Sequence, residues 1–154
     1  MHPKYQIDFN KGRAVQVPSV AADAIAFSKE KNAILLITRK FEPYIGMFAL
    51  PGGFVNYNED PADACTRELE EETGLKTVSV PKLSSVAGEA GVDPRKHVIS
   101  IVYSLDILPE EADLIKADDD AASVQWVNID EIKKDEFQMA FKHKDCIQVF
   151  LNKQ

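Results

Sequence analysis

The sequence contains few cysteines and no long apolar run. Its two cysteines, Cys65 and Cys146, are too few for a disulfide framework and are expected to be buried thiols. No run approaches the roughly 18 apolar residues of a membrane-spanning helix. The polar segment at residues 1–17 contains no apolar core of signal-peptide length. These absences predict an intracellular protein, cytoplasmic or nuclear, of which we favour cytoplasmic, with no membrane partner.

Positive charge is also scarce. Lysine and arginine total 18 against 25 aspartates and glutamates, which gives a net charge of −7. Such a chain is not expected to bind nucleic acids or anionic membranes. If it acts on a phosphorylated substrate, local cations or metal ions have to offset the repulsion. A hydrophobic content of 45% in 154 residues is typical of one folded domain, which we expect to span residues 1–154.

Hydrophobic periodicity predicts strands combined with two principal helices. Residues 21–27, interrupted by Asp23, and residues 33–38 predict an antiparallel hairpin around a turn at 28–32. Further extended candidates lie at 47–50, 77–80, 83–87, 97–107 and 122–127. An acidic loop at 109–120, a helical turn at 129–132 and a helix over 141–151 complete the pattern. This order predicts an α/β fold, in which helices cover a mixed sheet.

Local signals define one helix, over residues 61–73. Asp60 can cap its start, Pro61 fits its first turn, and Gly74 can end it in a left-handed conformation. Small or apolar residues recur along it at spacings of three and four, namely Ala62, Cys65, Leu69 and Thr73.

The same helix carries more acid than a core helix needs. Glu68, Glu71 and Glu72 fall on one face at about 100° per residue. Like charges at this spacing repel, but a divalent cation among them would remove the penalty, and Mg²⁺ favours such oxygen ligands. The alternative is a solvated acidic face.

The segment from Gly53 to Leu75, GFVNYNEDPADACTRELEEETGL, resembles the Nudix box. Its defining positions are occupied by Gly53, Glu59, Arg67, Glu68, Leu69, Glu71, Glu72, Gly74 and Leu75. Pro51 and Gly52 also resemble the loop that precedes the box. The resemblance extends over about residues 20–132. It implies the Nudix α/β/α sandwich with a mixed β-sheet, in which the box forms a loop, a helix and a loop.

The resemblance also implies roles for the box residues. The expected metal ligands are the Gly52 carbonyl and the carboxylates of Glu68, Glu71 and Glu72, of which Glu71 ranks last. The expected ion is Mg²⁺, with Mn²⁺ as a substitute. The catalytic set combines the three glutamates with Arg67. Arg67 and Glu59 orient the ligands, Gly53 permits close approach, and Gly74 closes the helix.

Outside the box, two arginines are candidates for binding substrate phosphate. Arg39 ends a strand, and Arg95 belongs to a DPR segment at 93–95, which resembles that of Nudix proteins related to ADP-ribose pyrophosphatases. Many of those have another arginine where this chain has Val92. The alternatives are a solvated strand end for Arg39 and a loop-anchoring ion pair for Arg95. Candidates for stacking on a base are Tyr44, Phe48 and Phe54, and His143 is expected to be a packing or surface residue.

The resemblance therefore implies a Mg²⁺-dependent hydrolase that cleaves the diphosphate of a nucleoside diphosphate derivative, with ADP-ribose favoured. A nucleoside triphosphate or a dinucleoside polyphosphate is the alternative substrate. The general base is a box glutamate or one of the later acidic residues, Glu110, Glu111, Asp118, Asp119 and Asp120.

A non-catalytic, nucleotide-sensing regulator is the alternative of another class. Nudix-like regulators carry a C-terminal winged helix, and fewer residues than such a domain needs follow Glu131. The expected partner is a nucleotide and not a nucleic acid. The oligomeric state stays open, and a homodimer is compatible with the sequence.

Overall fold

The computed structural model describes residues 5–8, 13–116 and 121–154. Two short strands, β1 (Tyr5–Asp8) and β2 (Arg13–Gln16), pair with each other in antiparallel fashion. The other strands form one mixed sheet. They are β3 (Ser19–Ser28), β4 (Ala33–Arg39), β5 (Phe48–Ala49), β6 (Gly52–Phe54), β7 (Lys82–Ala87), β8 (Val98–Asp106) and β9 (Ala121–Asn128).

The centre of the sheet is β3, which pairs with β8 in parallel along nearly its whole length. On its other side, β3 forms the predicted antiparallel hairpin with β4, in which Phe27 pairs with Ile34 and Ser28 with Ala33. β7 adds to β8 and β9 adds to β4, both antiparallel. Parallel and antiparallel pairs share one sheet, so the prediction of a mixed sheet is confirmed.

Beyond those two residue pairs, β3 and β4 no longer pair with each other. The short strands β5 and β6 lie between them instead. β5 pairs with β4, and β6 pairs with β3, where Gly52 lies opposite Asp23. The Ala24 amide donates to the Pro51 carbonyl at 2.8 Å. Residues 50–53, which we call the fork loop, therefore comprise the connection that follows β5 and the first two residues of β6.

In the described part of the chain, four helices complete the fold: α1 (Pro61–Thr73), α2 (Pro109–Ala112), α3 (Ile129–Ile132) and α4 (His143–Asn152). Alternation along β3 sends Ala22, Ala24 and Ala26 to one face, where they pack with Cys65 and Leu69 of α1. Ile25 points to the other face and packs with Ile147 and Phe150 of α4. Each face of the sheet thus has its own core under helices, which confirms the predicted α/β/α sandwich.

The predicted bounds of α1 are confirmed. Gly74 has φ 71°, and its amide donates to the Glu70 carbonyl at 2.8 Å, as expected for a left-handed C-terminal residue. Asp60 occupies the N-cap position, but its side chain makes no capping hydrogen bond, so its predicted capping role is wrong. The last helix begins at His143 instead of residue 141, because Phe141 has a positive φ of 55°, which is incompatible with a right-handed helix.

Two other segments also differ from the prediction. Residues 77–80 form no strand, because the Glu111 carboxylate accepts hydrogen bonds from the Val78 amide and the Thr77 hydroxyl, both at 3.0 Å. The predicted acidic loop contains α2, and its residues 118–120 lie outside the described residues.

Both cysteines are buried thiols, as predicted. In the described part of the chain, no helix has the length and apolar character needed to cross a bilayer.

Candidate active site

A cavity of about 700 Å³ opens where the fork loop meets α1 and the start of α4. This volume lies in the range of small-molecule sites, roughly 300–1,000 Å³. Asp23 of β3, Glu68 and Glu72 of α1, and the fork-loop glycines contribute to its wall.

Two predicted ligands of α1 contact the glycines of the fork loop. The buried Glu72 carboxylate accepts a hydrogen bond from the Gly52 amide at 2.8 Å. Glu68 lies so close to Gly53 that a Cβ at this position would be 2.4 Å from the Glu68 Cδ. Glycine is required here because any side chain would displace the carboxylate. The fold thus brings Gly52, Glu68 and Glu72 together at the cavity.

Arg67 holds Glu68 in place and links it to Glu59 and Glu71. Its Nε and Nη2 donate to the two Glu59 oxygens at 2.6 and 2.9 Å. Its Nη1 donates to Glu68 at 2.6 Å and to Glu71 at 3.2 Å, and Nη2 also reaches the Phe54 carbonyl at 3.1 Å. The hydrogen bonds from Arg67 are the main reason why the pKa of Glu59 falls to about 2. Such a guanidinium fork fixes several oxygens at once, which a lysine cannot do.

The remaining glutamates of α1 lie away from the cavity. Glu71, the third predicted ligand, does not line it; its side chain is 58% exposed and contacts Arg67. Glu70 forms an exposed ion pair with Lys76 at 3.4 Å. The acidic helix therefore divides into a cavity side, with Glu68 and Glu72, and an outer side.

The donor set fits a hard divalent ion. In residues 5–8, 13–116 and 121–154, no group of three or more His, Cys, Asp or Glu side chains forms a ready metal cluster. The candidate set at the cavity instead combines two carboxylates, Glu68 and Glu72, with the Gly52 carbonyl, all of them the oxygen ligands that Mg²⁺ and Mn²⁺ accept.

The charge of the side chains that line the cavity also favours a metal ion. Among the described residues that line it, seven carboxylates stand against four cationic side chains. The carboxylates belong to Asp23, Glu42, Glu68, Glu72, Glu89, Asp93 and Asp145, and the cations to Arg39, Lys40, Arg95 and Lys142. A phosphorylated ligand would be repelled here unless metal ions offset the excess negative charge.

The two predicted phosphate-binding arginines both line the cavity. The Arg39 guanidinium lies over the Phe141 ring, and its Nε donates to the Pro43 carbonyl at 2.6 Å. Burial, and then the positive charge of Arg95, lower the pKa of Arg39. Arg95 forms a two-point ion pair with Asp93, at 3.0 and 2.8 Å. The loop-anchoring alternative for Arg95 is therefore observed, and its phosphate contact stays a prediction.

Of the three aromatic candidates for base stacking, Phe54 lines the cavity. Lys96 and Arg95 lie over its ring at 4.2 and 6.0 Å. Phe48 stacks on another phenylalanine, at 5.2 Å, and the Tyr44 hydroxyl donates to the Val92 carbonyl at 3.2 Å. Phe54 is consequently the candidate that the fold favours.

The later acidic residues give no general base among the described residues. Glu110 and Glu111 do not line the cavity, and Glu111 also accepts from the Leu108 amide at 3.0 Å. Its role is to hold residues 77–78 and the start of α2. The other candidates, Asp118, Asp119 and Asp120, lie outside the described residues.

Sequence reasoning missed two cavity residues, Asp23 and His143. Both are buried, and His143 Nε2 lies 3.5 Å from an Asp23 carboxylate oxygen. His143 is buried, in line with the expectation of a packing residue, and its ring also lines the cavity, where Nδ1 accepts a hydrogen bond from the Leu50 amide. The available signal was Asp23, a carboxylate inside an otherwise apolar strand.

Comparison with known proteins identifies the family. The NUDIX domain matches residues 17–150. The chain belongs to the Nudix family. This membership confirms the prediction of a Nudix hydrolase. Nudix hydrolases generally use divalent metal ions, so the prediction of a divalent cofactor is confirmed at that level.

Two curated relatives and one solved structure place the chain within the Nudix family. The ADP-ribose pyrophosphatase of Methanocaldococcus jannaschii is 41% identical over 147 residues, which cover 94% of this chain and 79% of that protein. The ADPR responsive transcriptional repressor NtrR of Acinetobacter baylyi is 31% identical over 136 residues, or 85% of this chain and 52% of that protein.

The solved structure is a bifunctional NMN adenylyltransferase/ADP ribose pyrophosphatase from Francisella tularensis, in complex with AMP and a manganese ion. It is 28% identical and superposes with a TM-score of 0.80, covering 90% of this chain and 42% of that one. The chain thus spans about half of the repressor and less than half of the bifunctional enzyme.

Proposed function

We propose that this Nudix protein hydrolyses ADP-ribose in a Mg²⁺-dependent reaction, with Mn²⁺ as a substitute ion. Water is added across the diphosphate, and the products are AMP and ribose 5-phosphate. The observation that carries the proposal is the convergence of Gly52, Glu68 and Glu72 on a cavity that also presents Arg39 and Arg95. The 41% identity to an ADP-ribose pyrophosphatase supports the substrate.

The residues of the chain divide the work. Glu68, Glu72 and the Gly52 carbonyl would hold the metal, which would supply positive charge to the diphosphate and would make a water at the site more acidic. Arg67 orients the Glu68 carboxylate through a hydrogen bond, and Glu59 in turn holds Arg67. Glu71, bound to Arg67 at the outer side, supports this arrangement or acts as a further ligand.

Arg39 and Arg95 bind the phosphate groups. Burial, and then the positive charge of Arg95, lower the pKa of Arg39. A phosphate between them would relieve this repulsion and would form charge-assisted hydrogen bonds. Phe54, on the same cavity, is the proposed surface for the adenine ring.

A nucleotide-sensing regulator is the second candidate, favoured by the similarity to the Acinetobacter repressor. Hydrolysis is supported better, because the box carboxylates that would hold the metal are all present and two of them line the cavity. Two buried, unpaired cysteines support a reducing compartment, and we place this Nudix protein in the cytoplasm.

The test is a substrate panel with product identification. The protein is incubated with Mg²⁺ and, separately, ADP-ribose, ATP, GTP or a diadenosine polyphosphate, and the products are resolved by chromatography. The proposal predicts AMP and ribose 5-phosphate, with a higher kcat/KM for ADP-ribose than for any triphosphate. A clear preference for a triphosphate or a dinucleoside polyphosphate would overturn the substrate. Tight binding of ADP-ribose without turnover would favour the regulator.

A further inference from the structure

His143, the first residue of α4, connects that helix to the fork loop. The Leu50 amide donates to its Nδ1 at 2.9 Å. An Nδ1 that accepts a hydrogen bond carries no proton, so the proton of the neutral ring lies on Nε2. Nε2 is 3.5 Å from an Asp23 carboxylate oxygen. The two ring nitrogens therefore have different partners, one on the fork loop and one on β3.

Asp23 lies beside Nε2 and favours this orientation of the ring. Its carboxylate also accepts a hydrogen bond from the Ser100 hydroxyl of the neighbouring strand β8. The side chain is buried and lies against Gly52, where an added Cβ would be 2.0 Å from an Asp23 oxygen. The carboxylate thus selects the Nε2-protonated form of His143 and at the same time borders the loop that His143 holds.

The fork loop is held at three successive residues by three different elements. His143 of α4 binds the Leu50 amide, Ala24 of β3 binds the Pro51 carbonyl, and Glu72 of α1 binds the Gly52 amide. Leu50 lies two residues before Gly52, so a shift of the Leu50 amide changes the path by which the backbone enters Gly52.

We propose that His143 is a positioning residue for metal binding: through the Leu50 amide it fixes the fork loop so that the Gly52 carbonyl is placed as a ligand. The inference rests on the proposed function, because it requires the metal site formed by Gly52, Glu68 and Glu72. His143 itself does not contact the metal. Its burial, its bond to the backbone and its orientation by Asp23 distinguish it from a residue that merely packs at the start of α4.

Three substitutions of His143 separate its hydrogen bond to Leu50 from its contact with Asp23. In His143→Asn the amide oxygen can replace Nδ1 and accept from Leu50. In His143→Gln the longer side chain reaches the position of Nε2 instead, and in His143→Ala both contacts are lost. His97→Ala is the matched control, since His97 contacts the Gly88 carbonyl outside the fork loop.

The measurement is the dissociation constant for Mn²⁺, determined by electron paramagnetic resonance on the full chain without substrate. Thermal unfolding is followed in parallel. We expect His143→Ala and His143→Gln to weaken Mn²⁺ binding about 10-fold, the lower end of typical effects of residues that orient metal ligands. His143→Asn should restore most of the affinity, and His97→Ala should leave it unchanged. If His143→Ala does not fold, the comparison of Asn with Gln decides.

Glu72→Gln distinguishes failure of the inference from failure of the metal site. If Glu72→Gln weakens Mn²⁺ binding and the three His143 variants bind like the wild type, the positioning role is wrong and the metal site stands. Equal losses in His143→Asn and His143→Gln, accompanied by equal losses of thermal stability, would also overturn it, because they indicate a general packing role. Unchanged Mn²⁺ binding in Glu72→Gln would contradict the proposed metal site itself.

Discussion

The amide of Gly52 donates a 2.8 Å hydrogen bond to the carboxylate of Glu72. The two residues are 20 positions apart in the sequence, and the bond joins the fork loop to α1. On its other side, Gly52 pairs with Asp23 of β3. The first glycine and the last glutamate of the proposed metal site are therefore joined directly by a hydrogen bond.

Gly53→Ala should damage the site without unfolding the protein. The new Cβ would lie 2.4 Å from the Glu68 Cδ, and this neighbour is the end of a side chain that can turn away. Displacing a carboxylate ligand should lower Mn²⁺ affinity and kcat by roughly 10- to 100-fold, as for other disturbances of metal-ligand orientation. Mn²⁺ titration and steady-state kinetics measure the effect. Wild-type values for both would show that Glu68 is not needed where the structure places it.

Gly52→Ala should instead destabilise the fold. Its Cβ would approach the Ala22 carbonyl oxygen at 2.5 Å and the Asp23 Cα at 2.8 Å, and this backbone belongs to the central strand and cannot withdraw. Overpacking of this kind costs about 1–3 kcal/mol. Chemical denaturation should show a clear loss of unfolding free energy, larger than that of Gly53→Ala. The opposite order would contradict the packing described here.

Ionisation of Glu59 should make the free energy of unfolding depend on pH in the acidic range. Its pKa falls from the usual 4.5 to about 2 through its hydrogen bonds to Arg67. The ionised carboxylate therefore stabilises the fold above about pH 4.5, and this stabilisation is lost as the pH falls from 4.5 towards 2. Glu59→Gln should be less stable at neutral pH and should lose less on acidification. The exposed Glu30→Gln is the control, and identical acid profiles for the two variants would rule the effect out.

Arg39→Ala should weaken substrate binding more than folding. Loss of a charge-assisted contact to phosphate is worth about 1.5–3 kcal/mol, so kcat/KM for ADP-ribose should fall about 10- to 100-fold, mainly through KM. Arg39→Lys should recover part of it. Lys31→Ala removes an ion pair to Asp113 of 3.1 Å outside the cavity and should change neither KM nor kcat. An unchanged KM in Arg39→Ala would remove Arg39 from the substrate site.

Local signals in the sequence were sufficient for the principal helix and for the hairpin. Pro61 and Gly74 bound α1 as predicted, since both act through their own backbone conformation. The apolar runs of β3 and β4 are joined by a short turn, which leaves little choice of partner. The Nudix box indicated which acids matter, and the structure brings Glu68 and Glu72 to the cavity while Glu71 stays at the outer side.

The sequence did not predict the contacts between residues that lie far apart along the chain. His143 and Leu50 are 93 positions apart. No pattern along the chain predicts that a histidine at the start of a helix accepts a hydrogen bond from the amide of a distant loop. Glu111 was a candidate base by its place in an acidic segment, yet it satisfies the Val78 and Leu108 amides. Residues 77–80 form no strand for the same reason. Their β-branched residues favour a strand, but a carboxylate accepts the hydrogen bonds that a neighbouring strand would accept.

The most direct test of the account is the rate of ADP-ribose hydrolysis in three glutamine variants of α1. Glu68→Gln and Glu72→Gln remove one negative charge each at the cavity, and Glu70→Gln removes one on the outer side, where Glu70 pairs with Lys76. Loss of about 4 kcal/mol of transition-state stabilisation corresponds to roughly a thousandfold in kcat. The account predicts a loss of this order in the first two variants and a nearly unchanged rate in Glu70→Gln. Similar rates in all three would contradict it.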